Sequence, residues 1–448
     1  MALTGIQIFK LLPKTNCGEC GVPTCLAFAM NLAAAKAELA SCPHISEESS
    51  AQLSEASAPP IRPIAFGPGD NVVKIGGETV LFRHEKTFVN KPGFAILISD
   101  AMAADEVAGR IKRFKELRYE WIGLVLRPEM IALKNESGDA GKYEALVKKV
   151  MDETDAALVL MSTNVEAMTA AVKVSAARLP LIYAATDGNS DALAALAREY
   201  KCPLAARADN MDSLSALTDK LSAAGIKDIV LDTGARTVRR AFEDQVFLRR
   251  AALVQKNRSL GFPTITFPCE MTANPAKEAL IAAMFIAKYA GIIVLSDFQG
   301  EVLFPLLVSR LNIYTDPQRP MMMKQGIYPI GNPTEDSPVL ITTNFALTYF
   351  IVSGEIEASR VSSWLLVMDT EGLSVLTAWA AGKFVGDAIG QFVKKCGITE
   401  RVKHKKLIIP GFVAAVSGDL EEELGPEWEV KIGPREAAHL APFLKMGV

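Results

Sequence analysis

The chain has 448 residues, a net charge of -3 and a half-hydrophobic composition with only 7% aromatics, enough apolar material for roughly two to four domains with their own cores. Its balanced charge gives no electrostatic footprint for nucleic acid, and no unbroken run of about 20 apolar residues predicts a membrane span. Four of the seven cysteines fall within the first 42 residues, which is not the distribution of a disulfide framework. The first twenty residues lack the apolar core of a secretory signal, so a reducing cytoplasm is expected.

Cys17, Cys20, Cys25 and Cys42 follow the order C-x2-C-x4-C-x16-C, with Pro43 after the last. Pro23 predicts the first position of a helix that continues through TCLAFAMNLAAAKAELA and ends before Ser41. Cys25 then lies in the first helical turn, where free N–H groups and the helix dipole favour a thiolate. Gly18 and Gly21 let the backbone come close to sulfur. Four thiolates from one segment hold either a tetrahedral zinc or a 4Fe–4S cluster. Zinc sites usually present two short pairs. One pair followed by two singletons favours the cluster, and structural zinc stays open. Cys202, Cys269 and Cys396 read as core residues.

Two proline-rich stretches, one with Pro43, Pro59, Pro60, Pro63 and Pro68 and one with Pro317, Pro320, Pro329, Pro333 and Pro338, divide the chain at 1–58, 59–325 and 326–448. The middle piece opens on NVVKIGGETVLF, read as a hairpin turning at Gly76 and Gly77. Strands are then expected at Phe94–Ser99, Trp121–Leu126, Ala157–Met161, Leu181–Ala184, Leu204–Ala206, Ile229–Leu231, Thr264–Phe267 and Ile292–Leu295. Eight βα repeats suit a TIM (β/α)8 barrel, with an open doubly wound sheet as the alternative. Ser99, Asp100, Asp187, Asn189, Asp232, Thr233, Ser296 and Asp297 stand after these strands, where barrel chemistry normally lies, and the Asp and Asn among them read more simply as helix caps. The run of Arg236, Arg239, Arg240, Arg249 and Arg250 reads as a solvated helix face.

The last piece predicts strands at Val339–Thr342, Ser363–Met368, Lys406–Pro410 and Glu429–Ile432, with helices at Ala346–Ser353, Val375–Ala381 and Val385–Lys395. Ligands of an open α/β sheet collect at the carboxyl ends of its strands. The loops there are 342–346, 369–374, 411–414 and 433–436. Small residues at Ser374, Ala378 and Gly382 leave one helix face nearly flat, for a broad planar ring or for tight helix–sheet packing. No G-x-G-x-x-G, G-x4-G-K-[ST] or H-E-x-x-H motif occurs. None of the four histidines lies in a D-x-H-x-x-G sequence.

Taken together, NCGECGVPTC with Cys42 downstream, the barrel-sized middle, and TTNFALTYF, LLVMDTEGLSVLTAWAAGKF and KIGPREA resemble a known family over the whole length. It is the large (gamma) subunit of the corrinoid iron–sulfur protein of the acetyl-CoA decarbonylase/synthase (CO dehydrogenase/acetyl-CoA synthase) system. The resemblance implies a 4Fe–4S domain, a TIM barrel and a Rossmann-like α/β corrinoid-binding domain. It also implies a methyl carrier of the reductive acetyl-CoA (Wood–Ljungdahl) pathway. Cob(I)amide would accept methyl from methyltetrahydrofolate through a separate methyltransferase and deliver it to acetyl-CoA synthase. The cluster would return Co(II) to Co(I), fed by a low-potential electron donor or activator.

By the same resemblance Cys17, Cys20, Cys25 and Cys42 ligate the cluster, and a small subunit completes a heterodimer. No catalytic side chain is implied, because cobalt carries the chemistry. The corrinoid would be base-off, without a histidine ligand. Its contacts would fall on Leu340, Thr342, Thr343, Asn344 and Ala346, on Thr370, Glu371, Gly372, Leu373 and Ser374 with Ala378, and on Gly411, Gly433 and Pro434. The competing readings are an iron–sulfur electron-transfer protein fused to a pterin-binding-like barrel without corrinoid, and a pterin-binding barrel enzyme with structural zinc.

Overall fold

Short apolar runs rich in Ala, Val, Ile and Leu, each followed by an amphipathic stretch, build the larger part of the molecule. The structure, a computed structural model, describes residues 5–33, 37, 39–46, 48–50, 53 and 59–446. It comprises two units, Met1–Arg118 with Arg127–Tyr314, and Tyr119–Leu126 with Thr315–Val448.

In the first unit, β1 (Ile64–Phe66) and β2 (Val73–Ile75) form an antiparallel hairpin. Its turn is the intervening segment with Gly67, Pro68 and Gly69, not Gly76–Gly77 as the sequence suggested. Gly67 has φ +108, and a Cβ there would lie 2.9 Å from that of Ala157. The barrel begins with β3 (Gly93–Ser99), and a small hairpin of β4 (Tyr119–Trp121) and β5 (Leu124–Leu126) follows. The remaining barrel strands are β6 (Met130–Lys134), β7 (Ala157–Met161), β8 (Leu181–Ala185), β9 (Leu204–Arg207), β10 (Ile229–Asp232), β11 (Ile265–Thr266) and β12 (Ile292–Leu295).

All barrel pairings are parallel, in the order β10-β9-β8-β7-β6-β3-β12-β11. A parallel bridge from Leu231 to Thr264 joins the two ends, giving a nearly closed TIM-like ring. The second barrel strand is therefore Met130–Lys134 rather than Trp121–Leu126. That earlier apolar run is broken by Ile122 and Gly123, both at positive φ, the geometry of a two-residue hairpin turn.

Alternate strand residues fill the barrel. Ala95, Ala132, Ala157 and Ala205 leave room for Met130, Leu181, Val230 and Phe267. Ile64, Phe66, Val73 and Ile75 join the same core. The neighbours of this hairpin, Ala157, Gly93 and Gly291, all lie where strands begin, so β1–β2 closes the amino-terminal end of the barrel.

Helix Gly300–Ile313 places Arg310 inside this unit at 1% exposure. Its guanidinium donates to both Glu129 carboxylate oxygens at 2.8 Å and to the Pro92 carbonyl at 2.8 Å, and lies over the Phe94 ring. One ion pair thus pins the last helix to the starts of β3 and β6.

In the second unit, β13 (Gly326–Ile330), β14 (Val339–Thr343), β15 (Ser363–Met368), β16 (Lys406–Ile409) and β17 (Glu429–Ile432) form one sheet in the order β13-β15-β14-β16-β17. Only β13 runs antiparallel. Pro329 is tolerated there because an edge strand needs no donor on its outer side. The second proline-rich stretch is thus partly built into the sheet. Its Met323 N–H bonds to the Asn344 carbonyl at 2.8 Å, and the Ala346 N–H to the Met321 carbonyl at 3.0 Å. The helix expected at Ala346–Ser353 runs on to Ser359. Among the described residues no helix is long and apolar enough to cross a membrane.

Burial pushes the Glu129 pKa up, but Arg310, with Lys91 and the Phe94 N–H, holds the carboxyl below its ordinary value. Arg310→Ala is expected to cost about 3 kcal/mol at neutral pH, because it leaves a largely buried charge without its main partner. A folded pKa below the unfolded one gives stability that is lost as pH falls through the folded value. The deficit of the variant, read from urea midpoints, should therefore shrink below the ordinary carboxylate range.

Candidate functional site

The cysteine segment is organised by its backbone. Gly18 and Gly21 have φ +75 and +84, and the Gly21 N–H bonds to the Gly18 carbonyl at 3.0 Å, closing a tight turn between Cys17 and Cys20. A Cβ at either glycine would meet nothing within 4 Å. The left-handed backbone, not space, is what asks for glycine. The helix begins at Cys25 rather than Pro23, and the Thr24 hydroxyl caps it by accepting the Ala27 N–H at 3.1 Å. The Asn16 side-chain oxygen accepts the Cys25 N–H at 2.8 Å. The expected helix to residue 40 is seen over Cys25–Ala33, and residues 34–36 and 38 lie outside the described set.

A short turn at Leu39–Ser41 brings Cys42 back. Cys25 and Cys42 are buried with Ile8, Leu12 and Phe28, and Cys20 is packed against the same core. Cys17 is exposed, within 4.8 Å of donor atoms of Glu19 and His44. None of the four is in a disulfide. Four free thiols carried by one short module supply the donor types of a four-cysteine metal or iron–sulfur set.

The second site lies in the second unit. β14 connects onward to β15 on one side while β16 connects onward to β17 on the other, so the connections diverge at the β14–β16 junction, where open sheets bind ligands. A cavity of about 330 Å³ opens there. Leu340, Thr342, Ser374, Gly433 and Pro434 line it, as expected contacts. So do Ile351 and Val352 of helix Ala346–Ser359, Phe412 and Arg435, which the sequence did not single out. In sequence Ile351 and Phe412 look like ordinary core residues, and only the structure shows them exposed. The Thr342 hydroxyl is buried with no hydrogen-bond partner among the described residues, as is that of Thr343. A preformed, mostly apolar cavity with an unpaired polar group is the profile of a small-molecule site.

The other expected contacts do not line this cavity. Asn344 holds the neighbouring loop. Its side-chain oxygen accepts from the N–H groups of Thr370 and Gly372 at 3.0 Å and the Thr370 hydroxyl at 3.1 Å, while its amide donates to Asp369 at 2.9 Å. Glu371 and Gly372 are both left-handed, and Glu371 pairs with Lys383. Ala346 and Ala378 are buried, Ala378 in the sheet core, with Leu373 against it. The small-residue stripe therefore serves helix–sheet packing at Ala378. Gly411 lies where a Cβ would be 2.4 Å from the Gly433 carbonyl, so two loops meet there by backbone alone.

At the carboxyl end of the barrel the polar residues are mutually paired. Asp232 accepts from Arg236 at 2.9 and 3.1 Å and from the Tyr183 hydroxyl at 2.5 Å. Burial pushes the Tyr183 pKa up, and Asp232 adds to it. Asp100 binds the N–H groups of Glu136 and Ser137 instead of capping a helix. Of the expected caps, Asn189 stands at the N-cap of helix Ser190–Tyr200 but accepts the Thr186 N–H instead, and the side-chain caps seen are Asp139, Asn164, Asn210 and Asn274. Arg249, expected in solvent, is 3% exposed and paired with Glu78 at 3.2 Å.

These features define a multidomain α/β protein with a four-cysteine module, a TIM-like barrel and a crevice-bearing sheet. A family model for the CO dehydrogenase/acetyl-CoA synthase delta subunit matches residues 63–444, and one for an Fe-S cluster matches residues 12–44. The corrinoid/iron-sulfur protein large subunit of Moorella thermoacetica is 44% identical over 99% of both chains. The acetyl-CoA decarbonylase/synthase complex subunit gamma of Methanopyrus kandleri is 36% identical over 99% of this chain and 97% of its own. Among solved structures, dihydropteroate synthase from Thermus thermophilus (13% identity, TM-score 0.39) covers 56% of this chain and 100% of its own. The chain belongs to the family of corrinoid/iron–sulfur protein large subunits and acetyl-CoA decarbonylase/synthase gamma subunits.

An unpaired buried hydroxyl costs stability. Thr342→Val is therefore expected to raise the stability of the ligand-free chain by about 1 kcal/mol, measured by urea unfolding. A loss of stability would mean that the hydroxyl has a partner.

Proposed function

We propose that the chain is the methyl-carrying subunit of an acetyl-CoA synthase system, taking methyl from methyltetrahydrofolate and passing it to acetyl-CoA synthase. The observation that carries this reading is the presence, in one chain related to corrinoid/iron–sulfur subunits along its whole length, of four free thiols in one module and a cavity at the β14–β16 junction. On this reading the chain divides functionally at 1–58, 59–325 and 326–448. The last part is a Rossmann-like corrinoid-binding domain.

Cys17, Cys20, Cys25 and Cys42 would hold a 4Fe–4S cluster. Thr342 and Ser374 would offer hydroxyl groups to the corrinoid, and the Gly433–Pro434 loop its backbone. Asn344 keeps the loop carrying Thr370 and Gly372 in place beside them. When bound, the corrinoid supplies a cobalt nucleophile for methyl groups and the cluster supplies low-potential electrons that keep the cobalt reduced. The reading includes a base-off cobamide without a histidine ligand. The protein's own task is to bind the ring, exclude side reactions and leave one face open.

The partners proposed are a small subunit forming a heterodimer, a methyltetrahydrofolate:corrinoid methyltransferase, acetyl-CoA synthase, and a low-potential electron donor or activator. The location proposed is the cytoplasm. Metal analysis of the anaerobically purified protein is expected to give about four iron per chain with one cobalt. Iron without uptake of added cobamide would point to an electron-transfer protein, and zinc alone to a structural site. Cys20→Ala should abolish reductive activation by a low-potential donor while cobamide binding persists. Loss of binding in that variant would overturn the assigned role of the cysteines. Thr342→Val should weaken cobamide retention and leave iron content unchanged.

A further inference from the structure

Residues 119–126 lie in sequence between two barrel elements, helix Ala104–Glu116 and β6, yet they belong to the second unit. β4 and β5 pair with Tyr119 opposite Leu126 and Trp121 opposite Leu124. The turn puts Ile122 at φ +56 and Gly123 at φ +69. Glycine accepts this freely, but a β-branched residue does so only when its surroundings hold it there. Ile122 is 5% exposed, so burial supplies that hold. Trp121 stacks on Phe350 at 4.6 Å and 26°. Phe350 meets Tyr349 edge-on, and Tyr349 meets Tyr328. At the turn, a Cβ on Gly123 would lie 3.4 Å from Lys324 Cβ and from the Tyr328 hydroxyl.

The position of this contact on its helix matters. In helix Ala346–Ser359, Thr348, Ile351 and Val352 line the cavity. Phe350 falls on the opposite side at 100° per residue, and Tyr349 on the flank between. The hairpin therefore bears on the back of the helix whose front is a wall of the cavity.

The chain ends of the hairpin are held on the barrel side up to the crossing points. The Arg118 N–H bonds to the Glu116 carbonyl at 2.8 Å and its side chain to the Lys115 carbonyl at 3.0 Å. The Arg127 carbonyl accepts from Arg310 at 3.3 Å, its side chain pairs with Asp155 at 3.6 Å, and Pro128 restricts it to an extended backbone.

We propose that Tyr119–Leu126 is a clasp, in which Trp121 is a positioning residue. It fixes helix Ala346–Ser359 from behind, sets that wall of the cavity, and makes the hairpin move with the second unit. The hairpin thereby belongs with the second unit although the chain enters and leaves it from barrel elements. The proposal concerns the ligand-free chain and does not depend on the methyl-carrier reading.

Hydrogen–deuterium exchange on the full-length, ligand-free protein tests it. Trp121→Ala should speed exchange at least tenfold in helix Ala346–Ser359 and in Gly326–Ile330, and leave barrel strands Met130–Lys134 and Ala157–Met161 unchanged. Trp121→Phe should restore most of the protection, and Val125→Ser, at a 60% exposed position, should match the unaltered chain. If Trp121→Ala does not fold, Trp121→Leu carries the same test with a smaller change. Unchanged exchange in helix Ala346–Ser359, or an equal rise in the barrel strands, would overturn the proposal.

Discussion

Arg310 is among the largest fully buried side chains, and the way its charge is met organises much of the molecule. A buried guanidinium requires acceptors all round. It finds them at Pro92, Glu129 and Arg127, the approaches to β3 and β6. The same contacts place the closing helix of the barrel and hold the chain where it returns from the clasp at Arg127. Barrel closure and the anchoring of the second unit's hairpin therefore share one electrostatic fixture.

In the second unit Asn344 has the comparable place. An amide offers two donors and one oxygen acceptor. Here the oxygen takes three hydrogen bonds and the nitrogen one, all within the loop after β15. The loop's donors are spent on Asn344, while the hydroxyl of the cavity-lining Thr342 has no partner among the described residues. The mutually paired charges at the mouth of the barrel contrast with this, since Arg236, Asp232 and Tyr183 already satisfy one another.

Elements with one clear periodicity were legible. Seven of the eight barrel strands and all four parallel strands of the second sheet lie within a residue or two of their expected positions, because each is a short apolar run between turn signals. The second barrel strand was misplaced because WIGLVL and MIALK look alike in hydropathy. Only a backbone with two successive positive φ values separates a hairpin from a strand. The β1–β2 turn was misplaced for a related reason, as Gly76 and Gly77 are needed for close packing against Arg62 and Pro63 rather than for turning. Of the corrinoid contacts expected by resemblance, Leu340, Thr342, Ser374, Gly433 and Pro434 line the cavity, and Asn344 and Ala378 support its surroundings. Loop sequences name neighbours of a site, but side-chain direction decides which of them face it.

The sequence by itself determined the four-cysteine module, the βα alternation and membership of the family. These reside in local spacing, in periodicity and in residue identities along the chain. Tertiary structure alone decided that residues 119–126 leave the barrel for the second unit, that Arg249 and Arg310 are buried, and that helix Ala346–Ser359 is a cavity wall with Trp121 behind it. Each of these depends on contacts between segments roughly 170 to 230 positions apart. No local pattern encodes such contacts, because they are settled by what packs and pairs when the whole chain is closed.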